Sequence, residues 1–78
     1  MDFTIIASQL YKLGADEILH RYVLEHERPT VLAEAHKGVA GGHYVGKATT
    51  QNILRAGLWW PTLHQDSYTY CRMCDAWQ

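Results

Sequence analysis

Hydrophobic and polar residues follow two different rhythms along this chain, and the change falls near Arg28. Before it, Phe3-Thr4-Ile5-Ile6 is a short β-branched run. Gln9-Leu10-Tyr11-Lys12 and Glu17-Ile18-Leu19-His20-Arg21-Tyr22-Val23 then flank the turn-capable Gly14-Ala15-Asp16. Two strand-like runs around a short Gly-containing segment predict a β-hairpin. An isolated hairpin is marginal in water, so this one must lean on something else.

After Arg28 the period is helical. Pro29 suits a first helical turn, where its missing N–H costs nothing. Val31, Leu32, Ala35 and His36 share one face of a helix that Gly38 can close. Val39-Ala40-Gly41-Gly42 reads as a loop. A second helix is predicted from about Lys47 to Ala56, with Thr50, Ile53 and Leu54 inward and Gly57 as its stop. Trp60-Pro61 forces extended backbone, because the residue before proline avoids the α region. A third helix then carries Leu63, Ser67, Tyr70 and Cys74 on one stripe with Cys71 beside it. At ~100° per residue, Cys71 and Cys74 point within about 60° of each other. The predicted class is α+β and mostly α: a short N-terminal β-hairpin extension over 1–27, then a three-helix bundle over 28–78 whose second and third helices pair like a helix-turn-helix. The whole reads as one compact unit.

Length sharpens the picture. With 78 residues the chain is a single small domain, and cores of this size rarely supply more than ~3–5 kcal/mol without a staple. The composition, 47% hydrophobic with three Trp, five Tyr and one Phe, is that of a folded domain rather than a disordered tail. Two cysteines three residues apart make no disulfide framework, and a bridge closing so short a loop would stabilise little. No run approaches the ~20 apolar residues of a membrane span, and no signal peptide is visible, so the expected setting is soluble and intracellular. A metal is the remaining staple.

Charge adds a modest signal. The net charge is −1. Residues 1–27 carry Lys12 and Arg21 against five acidic residues, whereas residues 28–60 carry Arg28, Lys37, Lys47 and Arg55 against Glu34 alone. The middle of the chain is the part able to touch phosphate, and Lys37, Lys47 and Arg55 are its candidate nucleic-acid contacts.

The candidate chemistry is His36, His43, Cys71 and Cys74, spaced His-x6-His-x27-Cys-x2-Cys. Zinc takes four tetrahedral N and S ligands, and a structural site draws all four from protein. One ion held this way would tie the first helix to the third. A thioredoxin-like redox pair also has Cys-x2-Cys, but such a pair sits at a helix N-terminus in a larger fold. His20, His26 and His64 read as surface histidines, and Trp59, Trp60, Tyr68 and Tyr70 as core before stacking platform. No nucleophile triad, phosphate loop or paired-carboxylate site stands out.

His36-Lys-Gly-Val-Ala-Gly-Gly-His43, Lys47-Ala-Thr49, Ile53-Leu-Arg-Ala-Gly57-Leu-Trp-Trp60-Pro61, Asp66 and the Cys-rich segment ending at Gln78 together resemble one family. It is the His-His-Cys-Cys zinc-binding domain at the N-terminus of integrases from gypsy-type LTR retrotransposons, with Leu10-Tyr11-Lys12 and Ile18-Leu19-His20-Arg21 similar to the hairpin that precedes it in plant-type elements. The resemblance implies one structural Zn2+ and a non-catalytic module supporting integrase multimerisation and binding of element cDNA ends. Its implied partners are DNA, other integrase copies and the remainder of the polyprotein, with no membrane and no small-molecule substrate. The Asp-Asp-Glu catalytic core would follow it, and the implied location is the nucleus or a virus-like particle. A metal-free host protein-interaction module derived from such a domain is the alternative. One departure matters. The family spacing of about 30 residues after the second His lands on Cys74, and the next ligand position is Trp77, whose indole nitrogen only donates. Either Cys71 and Cys74 act as a ligand pair shifted by one turn, or the fourth position falls to water or His64.

Overall fold

The computed structural model describes residues 2–39 and 44–76. Four strands, β1 (Phe3–Ile6), β2 (Gln9–Leu13), β3 (Leu19–Tyr22) and β4 (Leu58–Trp59), form one sheet in the order β1-β2-β3-β4. A 3-10 turn at Glu25–Glu27 leads into α1 (Arg28–His36), followed by α2 (Val45–Arg55) and α3 (Leu63–Ala76). The fold is α+β and about half helical. No described helix is long and apolar enough to cross a membrane.

The expected hairpin around Gly14 is present, with Lys12 opposite His20 and Leu13 opposite Leu19. It belongs to a larger sheet than its sequence announces. Two additions correct the hairpin-plus-bundle expectation. First, β1 folds back on β2 through Ala7 and Ser8, at φ 50° and 67°. A two-residue connection of this kind asks for left-handed backbone, which normally draws Asn-Gly; neither Ala nor Ser announces it. Second, the chain leaves α2 at Gly57, whose φ of 78° is the left-handed stop that glycine adopts without strain. Held extended ahead of Pro61, it then pairs β4 parallel to β3, with Arg21 N–H donating to Gly57 C=O at 2.7 Å and Val23 N–H to Trp59 C=O at 2.9 Å. The hairpin thereby leans on the helices through its own sheet. Replacing Ser8 by Gly, with Ala7→Asn, should relieve the turn and raise stability by about 0.5–1 kcal/mol. Urea unfolding midpoints would show it, and an unchanged or lower midpoint would contradict this account of the turn.

Val23, Leu32, Ile53, Trp60 and Leu63 form the core, where Trp60 and Val23 have no exposed surface. The Trp60 indole N–H donates to Asp66 Oδ2 at 2.7 Å, and Thr62 Oγ1 donates to the same oxygen at 2.7 Å. Arg28 lies over the Trp60 and Tyr22 rings, 5.7 and 5.9 Å from their centroids, and its Nε donates to Val23 C=O. Asn52 Nδ2 donates to Ala35 C=O at 3.1 Å, giving one of the last carbonyls of α1 a partner from α2.

Helix α2 begins two residues earlier than expected; Thr50 and Ile53 are buried as expected, Leu54 is half-buried against the core, and Val45, Gly46 and Thr49 join the buried face. The reason is the α2–α3 crossing: a Cβ on Gly46 would stand 2.9 Å from the Tyr68 ring. That spacing is tighter than any side chain tolerates, so a close crossing needs glycine at this position. Both threonine hydroxyls are absorbed inside the helix, donating to Val45 and Gly46 C=O at 2.8 and 2.9 Å.

Candidate metal centre

Three helices meet where His36 ends α1, Thr49 sits mid-way along α2 and Cys71 lies in the second half of α3. On α3 the buried stripe is Leu63, Ser67 and Cys71, at 1%, 0% and 2% exposure, while Tyr70 and Cys74 are half-buried. The stripe therefore turns slightly away from the predicted one and aims Cys71, not Cys74, at the other helices. His36 Nδ1 stands 3.5 Å from Cys71 Sγ, and Thr49 Oγ1 stands 3.5 Å from each of them. The His36 ring meets Tyr70 edge-on, with centroids 5.6 Å apart. Burial and the neighbouring Cys74 and Cys71 sulfurs hold the Tyr70 phenol above its ordinary value of 10.0.

Of the four candidate ligands, the fold brings His36 and Cys71 together. Cys74 stands about one turn further along α3, half-buried. His43 lies outside the described residues, as do Gly41, Gly42 and Trp77. Among the described residues no cluster of three or more His, Cys, Asp or Glu side chains gathers around one point. The His36–Cys71 separation nonetheless suits a shared ion: a nitrogen at ~2.0 Å and a sulfur at ~2.3 Å across a tetrahedral angle stand about 3.5 Å apart. Both cysteines are free thiols. These residues fit zinc in donor chemistry and, for the placed pair, in spacing.

His64 is removed from this centre. It stands on the first turn of α3, seven residues or about 10 Å along the axis from Cys71, too far to share an ion with it. It lines a separate cleft with Lys12, Asp16, His20 and Trp59. His20 is not the surface residue expected: it is 8% exposed, its Nδ1 is 3.1 Å from Ile18 C=O, and it shares that cleft with Leu54 of α2. His26 is exposed in the turn before α1.

The basic candidates take up unequal positions. Lys37 is exposed at the end of α1 but paired with Glu34 at 3.1 Å. Lys47, Gln51 and Arg55 form an exposed stripe, at four-residue spacing, along a helix with no acidic residue. The exposed His64, Tyr68 and Arg72 run along α3 at the same spacing, and Tyr68 lies against Gly46 beside Lys47. Tyr68, at 48% exposure, and Arg72 are members of this surface that sequence reading missed. The i, i+4 spacing from His64 is the available signal, masked because an aromatic beside Trp60-Pro61 suits a core equally well. Trp60 is core, with Trp59 and Tyr70 packed against it.

No curated protein and no solved structure matches the chain. A family model described as the integrase zinc-binding domain matches residues 23–78, from the end of β3 through α3. That span holds the three helices, β4 and all four candidate ligands. With well over half of its length matched, this chain belongs to the integrase zinc-binding domain family.

Proposed function

We propose that this domain is the zinc-stapled, non-catalytic module through which a retrotransposon integrase holds element cDNA ends and associates with further copies of itself during DNA integration. The observation that carries the zinc part is the 3.5 Å approach of His36 Nδ1 to Cys71 Sγ at the junction of α1 and α3. His36, His43, Cys71 and Cys74 are the ligands in this reading. Cys74 joins Cys71 by a side-chain rotation, which an i, i+3 pair near a helix end allows with little backbone change. Zinc would supply a crosslink between α1, the loop after it and α3, and no reaction step.

The DNA part rests on the exposed, acid-free surface of α2, where Lys47 and Arg55 are the contacts of first rank, joined by Arg72 and Tyr68 from α3. Lys37, half-neutralised by Glu34, is secondary. Self-association is supported by the hairpin, whose edge strand β1 is exposed throughout, with Ile5 at 70% and Ile6 at 50% exposure. In this reading the domain acts with the rest of its polyprotein, in the nucleus or in virus-like particles.

Anisotropy titration of the zinc-loaded protein against a short DNA duplex, repeated across salt concentrations, tests the DNA assignment. Each phosphate contact steepens the log–log salt slope by about 0.9. Lys47→Ala and Arg55→Ala should each flatten it by about that amount, and Lys37→Ala by less. A salt-independent affinity, or slopes unmoved by the α2 substitutions, would remove α2 as the DNA face.

A further inference from the structure

Thr49 is the only polar side chain within hydrogen-bonding range of both placed members of the His36–Cys71 pair among the described residues. It has no exposed surface, and it stands on the one helix that supplies none of the four candidate ligands. A threonine hydroxyl has one hydrogen and two lone pairs. The hydrogen is directed to Val45 C=O at 2.8 Å, which leaves the oxygen's lone pairs toward Cys71 Sγ and His36 Nδ1. That arrangement suits neutral partners, since a thiol S–H and an imidazole N–H both donate. It does not suit a thiolate, which only accepts and which here is 2% exposed, out of reach of water.

We infer that Thr49 is a positioning residue for the metal centre, a donor that turns its hydroxyl hydrogen from Val45 C=O to Cys71 Sγ when Cys71 becomes a thiolate ligand. The move needs rotation about one C–O bond. It costs the helix little, because a carbonyl inside a helix still accepts its backbone N–H. The gain falls on a buried anion, where a charge-assisted hydrogen bond is stronger than a neutral one. Partners of this kind orient ligands and tune the metal they hold. The inference rests on the zinc reading above.

Four forms of the full chain separate the hydroxyl from the methyl group: unsubstituted, Thr49→Ser, Thr49→Val and Thr49→Ala. Zinc affinity is read by chelator competition, and cobalt(II) loading reports the thiolate-to-metal absorption band. With the hydroxyl as the active element, Ser stays within a few-fold of the unsubstituted protein, while Val and Ala bind roughly 10–100-fold more weakly. The cobalt band in Val and Ala also moves to longer wavelength, because a sulfur deprived of a hydrogen bond holds its electrons less tightly. If affinity follows the methyl group instead, with Val like the parent and Ser and Ala weak, Thr49 acts by packing alone and the inference fails. Equal affinities and unshifted bands in all four forms overturn it too, leaving zinc binding intact. Failure of the unsubstituted chain to take up either metal overturns the zinc reading and this inference together.

Discussion

Replacing Trp60 by alanine is expected to leave the domain largely unfolded at room temperature. The side chain has no exposed surface and packs with Val23, Leu32, Ile53 and Leu63, so it joins the end of β3 to all three helices. Tryptophan-to-alanine changes in cores cost about 3–5 kcal/mol, which is the whole core contribution that a domain of this size normally has. The indole also does polar work. It shares Asp66 Oδ2 with Thr62 and lies under the Arg28 guanidinium. Trp60→Phe separates the two roles: most of the volume stays, Asp66 keeps the Thr62 donor, and the loss should be nearer 1–2 kcal/mol. Urea unfolding followed by far-UV circular dichroism measures both. A folded Trp60→Ala variant within 1 kcal/mol of the parent would mean that the helices hold together without the residue placed at their centre.

Trp60 was also among the residues most legible from sequence, and the reason is local. Proline after it fixes the backbone, helix breakers bound it, and an aromatic pinned between two helices has little choice but the core. The helix ends marked by Gly38 and Gly57 and the start at Pro29 were legible for the same kind of reason, since each depends on the residue's own φ preference. What escaped was set by distant partners. β4 is two residues long, and nothing in Leu58-Trp59 marks it as a strand until β3 lies alongside. The turn at Ala7 and Ser8 lacks its usual residues, so β1 was seen as a strand-like run without a fold-back. On the inward face of α2, Thr50 and Ile53 were legible, whereas Gly46 and Thr49 carry little hydrophobic signal. They are buried for their small size and, at Thr49, a self-satisfied hydroxyl, which matter only once α3 crosses closely.

The candidate centre divides along the same line. Its four residues were chosen by type and spacing, and the pairing of His36 with Cys71 follows from which way α3 turns, a property of the packed bundle. Thr49, which touches both, was legible only as part of the Lys47-Ala-Thr49 match. The basic surface was partly legible as a run of positive residues. Its geometry was not, because Arg28, one of the four counted, is turned inward against Tyr22 and Trp60.

Stripping zinc from the loaded protein is expected to lower its melting temperature by roughly 15–30 °C. A ligand present at a thousand times its dissociation constant adds about 4 kcal/mol, and each kcal/mol moves a domain of this size by about 4–8 °C. His36→Ala and Cys71→Ala should each abolish stoichiometric zinc and melt like the chelated parent. The sharper question is which cysteines bind, and it turns on position 77. With Cys71 and Cys74 as the pair, Trp77→Cys leaves zinc affinity unchanged, and Cys71→Ala still loses the metal in that background. With ligand positions 74 and 77, as the family spacing has them, Trp77→Cys tightens zinc sharply and makes Cys71 dispensable. The fold argues for the first outcome. Cys71 is buried against His36 at a tetrahedral-edge distance, while Cys74 is half-buried beside Tyr70. A ligand already held where the ion must sit loses less conformational freedom on binding than one that must be brought there.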